Sequence, residues 1–165
     1  MLLTLLMLGV VCLLATLILL DFVIVIPKFG AEHFGLPDDL TEMMKKMPDR
    51  PLYINILGLC FMVLGFIAAI AVLVWAGIDA VKSDMSFLKT FLRFLIILDG
   101  YKLYDIVCFD WLMLTKLRLP EKLYPNTKGA KGYDSFGFNA KSQIIKAVLI
   151  FPAISLALAG ILSLF

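Results

Sequence analysis

The chain has little charge, one histidine and three cysteines, and each shortage excludes a class of site. Only 17% of the 165 residues are Asp, Glu, Lys or Arg, whereas a soluble domain carries about 25%. The single histidine, His33, excludes a haem held by two histidines, and Cys12, Cys60 and Cys108 form no C-x-x-C pair. The sequence therefore predicts no metal site and no cofactor-binding motif, and it leaves any cofactor unidentified.

Apolar residues dominate what remains, at 62% of the chain with a mean hydropathy of +0.98. Three stretches without any charge, at 2–20, 52–78 and 147–165, approach or exceed the roughly 20 residues that a membrane-spanning helix needs. A fourth apolar stretch, 87–114, contains charges. The sequence predicts a single-domain, all-α, polytopic membrane protein in the cell membrane. Its four transmembrane helices are predicted at about 2–26, 52–78, 87–114 and 144–165, with a long cytoplasmic loop before the last helix.

The distribution of positive charge predicts the orientation of these helices. The two long loops, 27–51 and 116–143, hold ten Lys and Arg residues, whereas the short loop near 79–84 holds only Lys82. Cytoplasmic loops are enriched in Lys and Arg, so we expect both long loops to be cytoplasmic and both termini to be extracytoplasmic. The net charge of +2 is too small to favour a nucleic-acid partner.

The charged third stretch is the predicted site. An ionisable side chain at bilayer depth costs about 2.5–3.5 kcal/mol and is retained where it is paired, hydrated or functional. Asp99 with Lys102, and Lys102 with Asp105, are spaced i, i+3, so both pairs can touch on one helical face. We expect Asp99 and Lys102 to face the protein interior, with Lys89 and Arg93 reaching towards the membrane surface. The charged residues of this stretch are Lys89, Arg93, Asp99, Lys102, Asp105 and Asp110.

Several chemistries fit parts of this pattern, and the sequence does not decide whether the protein is an enzyme. Asp21 and Asp110 could meet as the two carboxylates of an intramembrane aspartyl enzyme, and with Asp105 they could offer oxygen ligands to a divalent cation. No flanking motif supports either chemistry. His33 is a candidate for proton transfer. The candidate catalytic residues are Asp105, Asp110, Asp99, Lys102, Asp21 and His33.

Three functional hypotheses follow, beside the reading that the charges are only an ion-paired interior. The first is a polar intramembrane site that binds or acts on a lipid or amphipathic molecule at the cytoplasmic interface. The second is an accessory or assembly subunit whose charges pair with a partner membrane protein. The third is a small proton- or ion-coupled transporter built as a homo-oligomer.

The long loops carry further predictions. Asp39 is expected to cap a helix over 40–47 that ends before Pro48, with Met43, Met44 and Met47 on one face. The 116–143 loop is rich in proline, glycine and aromatic residues, and we expect those aromatics at the membrane interface. Pro152 is expected to kink the last helix.

Two short runs carry a resemblance. The sequence DIVCFDW at Asp105–Trp111, followed after the long loop by YDSFGF at Tyr133–Phe138, resembles uncharacterised small bacterial four-helix membrane proteins. The resemblance implies a four-helix fold in a bacterial membrane and implies no particular activity.

Overall fold

A computed structural model of the chain describes residues 1–33 and 35–164. It is 82% helical, without strands among the described residues, so the prediction of an all-α fold is confirmed. The α-helices are α1 (Leu2–Ile24), α2 (Pro27–His33), α3 (Asp38–Lys45), α4 (Leu52–Lys82), α5 (Phe87–Tyr104), α6 (Leu119–Leu123), α7 (Ala140–Ile145) and α8 (Phe151–Leu162). Two π-helices, π1 (Asp105–Lys116) and π2 (Lys146–Ile150), and two 3₁₀ turns (Pro125–Thr127 and Lys131–Asp134) complete the described elements.

Three helical stretches are long and apolar enough to cross a membrane. They are Leu2–Ile24, Leu52–Lys82 and Ala140–Leu162, the last made of α7, π2 and α8 in succession. At most 17% of the residues in their most apolar windows are buried within the protein. Soluble proteins rarely expose so much apolar surface to water, so these helices indicate a membrane protein. The third predicted span is not among them, because α5 has eighteen residues and four charged side chains.

The first of two compact units comprises residues 1–14, 66–105 and 140–164. Four helices supply its apolar core, and Gly100 of α5 lies so close to α1 that an added Cβ would be 2.8 Å from Leu8 Cδ2. The core therefore joins all the apolar stretches of the sequence, including the charged one. Its residues are Met7 of α1, Val72 and Ala76 of α4, and Phe94 and Ile97 of α5, with Leu158 and Leu162 of α8 against them.

The second unit comprises residues 15–65 and 106–139. Here the end of α1 packs on the start of α4, with Ile18, Phe22 and Ile26 at the centre. Glycines on α4 allow this close packing, since a Cβ at Gly58 would lie 2.6 Å from Ile26 Cγ2. The remainder of the unit is most of π1 together with the two long loops, which fold against each other.

The loops are joined by polar bonds and by a shared apolar core. The Asp39 carboxylate accepts a hydrogen bond from the backbone N–H of Gly132 at 2.9 Å. Tyr133 is fully buried and packs in a cluster with Leu40 and Leu114. The Tyr124 hydroxyl donates to the carbonyl oxygen of Val23, near the end of α1, at 2.7 Å. The segment from 116 to 139 is therefore an ordered, partly helical part of the second unit.

One prediction for these loops is wrong. The N-cap of α3 is Pro37, and Asp39 lies inside the helix, where its carboxylate accepts hydrogen bonds from the N–H groups of Leu40 and Gly132 instead. Tyr133 is buried in the core of the folded loops, and the position of the loop's aromatic residues at the membrane interface stays a prediction.

The predicted helix end before Pro48 agrees with the structure, Met43 packs in a different cluster from Met44 and Met47, and the kink at Pro152 stays a prediction. The helix that contains Met44 ends at Lys45, before Pro48, and Met44 and Met47 are buried against Ala31. Pro152 occupies the second position of α8, directly after π2. It therefore marks a change in helical hydrogen bonding within the last apolar stretch.

Candidate functional site

The charged stretch changes from α-helix to π-helix at Asp105, the residue at the centre of its charges. The N–H of Asp105 donates to the carbonyls of both Tyr101 and Lys102. Beyond it the hydrogen bonds span five residues, as in Leu117 N–H to Leu112 O at 2.8 Å. The Thr115 hydroxyl likewise donates to the carbonyl of Asp110 at 2.9 Å. Since π-helical segments are rare and are frequently found at functional sites, the junction of α5 and π1 is a candidate functional site.

An ion pair is buried at this junction. Lys102 Nζ lies 2.5 Å from Asp105 Oδ2, and the two side chains are only 7% and 17% exposed. Gln143, on α7, points its amide nitrogen at the same carboxylate oxygen, 3.5 Å away. The i, i+3 spacing predicts the pair of Lys102 and Asp105. Sequence reasoning missed Gln143, because it assigned that residue to the long loop.

Asp99 lies one turn before Lys102 and carries one of the two unpartnered buried polar atoms described in this stretch, the other being Arg93 Nε. Its Oδ1 atom is inaccessible to solvent and has no hydrogen-bond partner among the described residues. The i, i+3 spacing also allowed Asp99 to pair with Lys102, but the structure directs Lys102 to Asp105. Asp99, Lys102 and Asp105 together carry two carboxylates against one ammonium group.

Arg93 does not reach towards the membrane surface as expected. It is 6% exposed, and its guanidinium donates to Asp79 Oδ2 at 2.7 Å and to the carbonyl of Ala76 at 3.1 Å. Both partners come from the last turns of α4. The acidic residue that neutralises Arg93 therefore comes from the neighbouring helix α4. The sequence pattern assigned this residue, Asp79, to the short loop that follows. Lys89, in contrast, is exposed.

Asp21 is a second buried carboxylate and belongs to the second unit. It is 6% exposed, and its Oδ2 atom has no hydrogen-bond partner among the described residues. Gly58 of α4 packs beside it, since an added Cβ there would be 3.3 Å from Asp21 Oδ1. Asp110, the proposed partner of Asp21, is half-buried in π1 of the same unit.

The remaining candidates have simpler surroundings. His33 is exposed, its ring stacks on Phe29 with centroids 4.3 Å apart, and its Nδ1 lies 3.1 Å from the carbonyl of that residue. No group of three or more His, Cys, Asp or Glu side chains within residues 1–33 and 35–164 is arranged to hold a metal ion. The set of Asp21, Asp105 and Asp110 is therefore not assembled as a metal centre in the described part of the chain.

Tyr133 is a fully buried ionisable group of the folded loops. Its hydroxyl lies 2.7 Å from that of Thr127. Thr127 in turn donates to the carbonyl of Tyr124 at 2.8 Å, so Tyr133 is the donor to Thr127. The guanidinium of Arg118 lies 5.8 Å from the centre of the Tyr133 ring. Burial raises the pKa of the Tyr133 hydroxyl above its ordinary value.

Compared with known proteins, the chain matches no family model, no curated protein and no solved structure.

Proposed function

We propose that this chain is a four-span integral membrane protein whose third span, 87–114, carries a site for the polar group of an amphipathic molecule. The proposal has two parts, the number of crossings and the site, and each has its own support and its own experiment.

The packing of the two long loops supports four crossings. Within the second unit, Asp39 of the first loop bonds Gly132 of the second, which favours an arrangement with both loops on one side of the membrane. Between them the chain passes through α4, a 31-residue helix that takes it to the other side. The chain must then cross back through α5 and π1 for the loops to meet. The eighteen residues of α5 alone extend about 27 Å, and with the twelve residues of π1 they exceed the roughly 30 Å hydrocarbon core.

The crossings are tested by cysteine labelling in cells. Lys46→Cys and Asn126→Cys place thiols at exposed positions in the two loops, and Ser83→Cys places one in the short loop, in a chain whose native cysteines are replaced by Ser. The excess of Lys and Arg predicts cytoplasmic loops, so an impermeant maleimide should label only Ser83→Cys in intact cells. Opposite results for Lys46→Cys and Asn126→Cys would contradict a crossing by the third stretch.

The unpartnered oxygen of Asp99 carries the second part of the proposal. A buried polar atom without a partner is rare, and its explanations include a functional role, a bound water or ion, and local strain. Lys102 and Arg93 are already paired within the first unit, which favours an internal site over a surface that awaits a partner subunit. Because carboxylates outnumber cations here, the ligand group should donate hydrogen bonds or carry positive charge.

Co-purification tests this site. Asp99→Asn keeps the shape of the side chain and removes its charge, and Asp84→Asn is the matched control at an exposed position of the first unit. Mass spectrometry of amphiphiles extracted from purified protein should show one species in the wild type and in Asp84→Asn that is depleted at least about fivefold in Asp99→Asn. Equal amounts in all three proteins, with unchanged melting temperatures, would leave the charges as an ion-paired interior.

A homo-oligomeric proton- or ion-coupled transporter is the second candidate. The observation that favours it is the pair of inaccessible carboxylate oxygens on Asp21 and Asp99, since intramembrane carboxylates mark proton and ion pathways. In proteoliposomes that contain a pH-sensitive dye, this function predicts proton flux that Asp21→Asn and Asp99→Asn each abolish.

A further inference from the structure

One face of α5 combines an exposed apolar surface with a carboxylate. Leu88, Leu92 and Leu103 lie on this face and are 61%, 43% and 64% exposed, and the half-buried Ile96 and Asp99 complete it. Steps of three or four residues separate these five positions, which places them in one stripe along the helix. Most of the residues that α5 buries lie on the opposite side. The stripe therefore faces away from the core of the first unit and, in a spanning helix, towards the lipid chains.

Asp99 lies where this stripe meets the buried charged residues, and it lies deep. It follows Phe87, the first residue of α5, by about 18 Å along the helix axis. In the third span proposed above, that position is near the middle of the roughly 30 Å hydrocarbon core. A molecule that approaches Asp99 along the stripe therefore comes through the lipid chains and not from the water at either surface.

The environment of the Asp99 carboxylate favours a positive charge over a hydrogen-bond donor. Lys102, one turn further on, is bound to Asp105. Asp99 Oδ1 is inaccessible and has no hydrogen-bond partner among the described residues, although part of the residue is exposed. A ligand outside the protein cannot donate a hydrogen bond to an inaccessible oxygen. A cation over the exposed part, in contrast, attracts the whole carboxylate, and strongly so in a medium of low dielectric constant.

We infer that Asp99 binds a lipophilic cation, a molecule that carries its positive charge within an apolar body and enters from the lipid chains along the stripe. The inference rests on the proposed function and names the class of ligand of that same site. A compact hydrated cation would have to give up its water to reach this depth, which is costly. A cation surrounded by aromatic or alkyl groups loses less hydration, and the exposed leucines of the stripe offer its apolar body a contact surface.

Four probes test this ligand class one property at a time. Tetraphenylphosphonium is a lipophilic cation, tetraphenylborate has the same shape and the opposite charge, tetramethylammonium has the charge without the apolar body, and decanol is a neutral hydrogen-bond donor with an alkyl tail. Equilibrium dialysis against purified protein in neutral detergent, corrected for uptake by detergent alone, measures each. Tetraphenylphosphonium should bind at least about tenfold more tightly than the other three. Equal binding of tetraphenylborate would refute selection for positive charge, and equal binding of tetramethylammonium would refute an apolar occupant.

Variants of Asp99 locate the binding. Asp99→Asn removes the charge and should weaken tetraphenylphosphonium binding by at least about tenfold. Asp99→Glu keeps the charge and should bind within about threefold of the wild type. The matched control Asp84→Asn removes an exposed carboxylate of the same unit and should change binding by less than about twofold. Equal binding by the wild type and Asp99→Asn, at unchanged melting temperatures, would overturn the inference, because the Asp99 carboxyl group would then need no cation.

A leucine variant tests the apolar stripe. Leu103 lies one turn after Asp99, and Leu103→Ala should weaken tetraphenylphosphonium binding about threefold, because it removes part of the contact surface. The matched control is Leu156→Ala, at a 55% exposed position of α8 in the same unit, which should leave binding unchanged. An equal loss in both variants would mean that the probe adsorbs to apolar surface in general, and this would contradict a site on the stripe.

The decanol measurement separates the failure of this inference from the failure of the proposed function. Decanol binding that requires Asp99, without binding of tetraphenylphosphonium, would retain the site and make its ligand a neutral hydrogen-bond donor, so the inference alone would fall. Both would fall if no probe depended on Asp99 and no amphiphile co-purified with the wild type in preference to Asp99→Asn.

Discussion

Two ion pairs of the first unit join residues that are close in sequence, whereas two hydrogen bonds that close the second unit join residues far apart along the chain. Lys102 pairs with Asp105 three residues away, and Arg93 pairs with Asp79 fourteen residues away. In the second unit, Tyr124 bonds Val23 across 101 residues and Gly132 bonds Asp39 across 93. The pair of Lys102 and Asp105 follows from helix periodicity, and the pair of Arg93 and Asp79 joins two neighbouring helices. The two long-range bonds of the second unit form only when the loops have folded together, so the order of the loops depends on their buried contacts.

The largest expected effect comes from the centre of the folded loops. Tyr133→Ala should lower the stability of the second unit by about 4 kcal/mol, because it removes a fully buried aromatic ring from the cluster around Leu40. The apparent melting temperature in detergent should fall by about 10 °C. Phe136→Ala, at a 56% exposed position in the same loop, is the control and should have little effect. Equal effects of the two changes would mean that the loops are not held by their core.

The buried pair of the first unit should give the next largest effect. Lys102→Met leaves the Asp105 carboxylate buried without its cation, at a cost of about 3 kcal/mol. The double change Lys102→Met with Asp105→Leu should recover most of that loss, because replacing a whole buried pair is often tolerated. Thermal unfolding of both variants in detergent measures the difference.

An exposed pair is the control for the buried one. Asp134→Asn breaks the pair of Arg118 and Asp134, whose side chains are 41% and 72% exposed. The cost should be below about 1 kcal/mol, because solvent screens such pairs. A loss as large as that of Lys102→Met would contradict the burial argument.

The sequence predicted interactions between residues close in sequence better than the long-range bonds between the two loops. The length of the uncharged apolar stretches predicted the three long apolar helices, and i, i+3 spacing predicted the pair of Lys102 and Asp105. Sequence spacing alone does not predict which carboxylate pairs with Lys102, and it does not predict that Asp79 pairs with Arg93. Both pairs depend on how the helices pack. The bonds of Tyr124 and Asp39 carry no periodic pattern at all. Proline and glycine in the 116–143 segment therefore suggested an irregular loop where the chain is folded.

A smaller effect should come from the backbone link between the loops. A methyl group at Gly132 would lie 2.6 Å from both Asp39 Oδ1 and Pro37 Cβ, so Gly132→Ala must push the loops apart. Overpacking of this kind costs about 1–3 kcal/mol, and we expect about 2 kcal/mol by thermal unfolding. Gly160→Ala is the control, because nothing lies within 4 Å of an added Cβ there. Unchanged stability of Gly132→Ala would show that the contact between the loops is loose.

The smallest effect tests the Tyr133 hydroxyl alone. Tyr133→Phe keeps the ring and loses the bond to Thr127, so stability near pH 7 should fall by about 1 kcal/mol. Burial raises the pKa of this hydroxyl above its ordinary value of 10.0, so folding disfavours the ionised form. The stabilisation is therefore complete below about pH 10 and is lost as the pH rises through the folded pKa.

Melting curves of both proteins between pH 7 and pH 11 measure that loss. The wild type should melt at higher temperature than Tyr133→Phe at neutral pH. The difference in melting temperature should narrow above about pH 10, because there the Tyr133 phenol ionises in the unfolded wild type and stays neutral in the folded protein, which favours unfolding of the wild type alone. Other tyrosines and lysines titrate equally in both proteins and cancel in the difference. Tyr53→Phe, at a 65% exposed position, should show no such gap at any pH. A gap that stays constant to pH 11 would mean that the Tyr133 hydroxyl reaches solvent in the folded protein, and the loops would then be open where the structure has them closed.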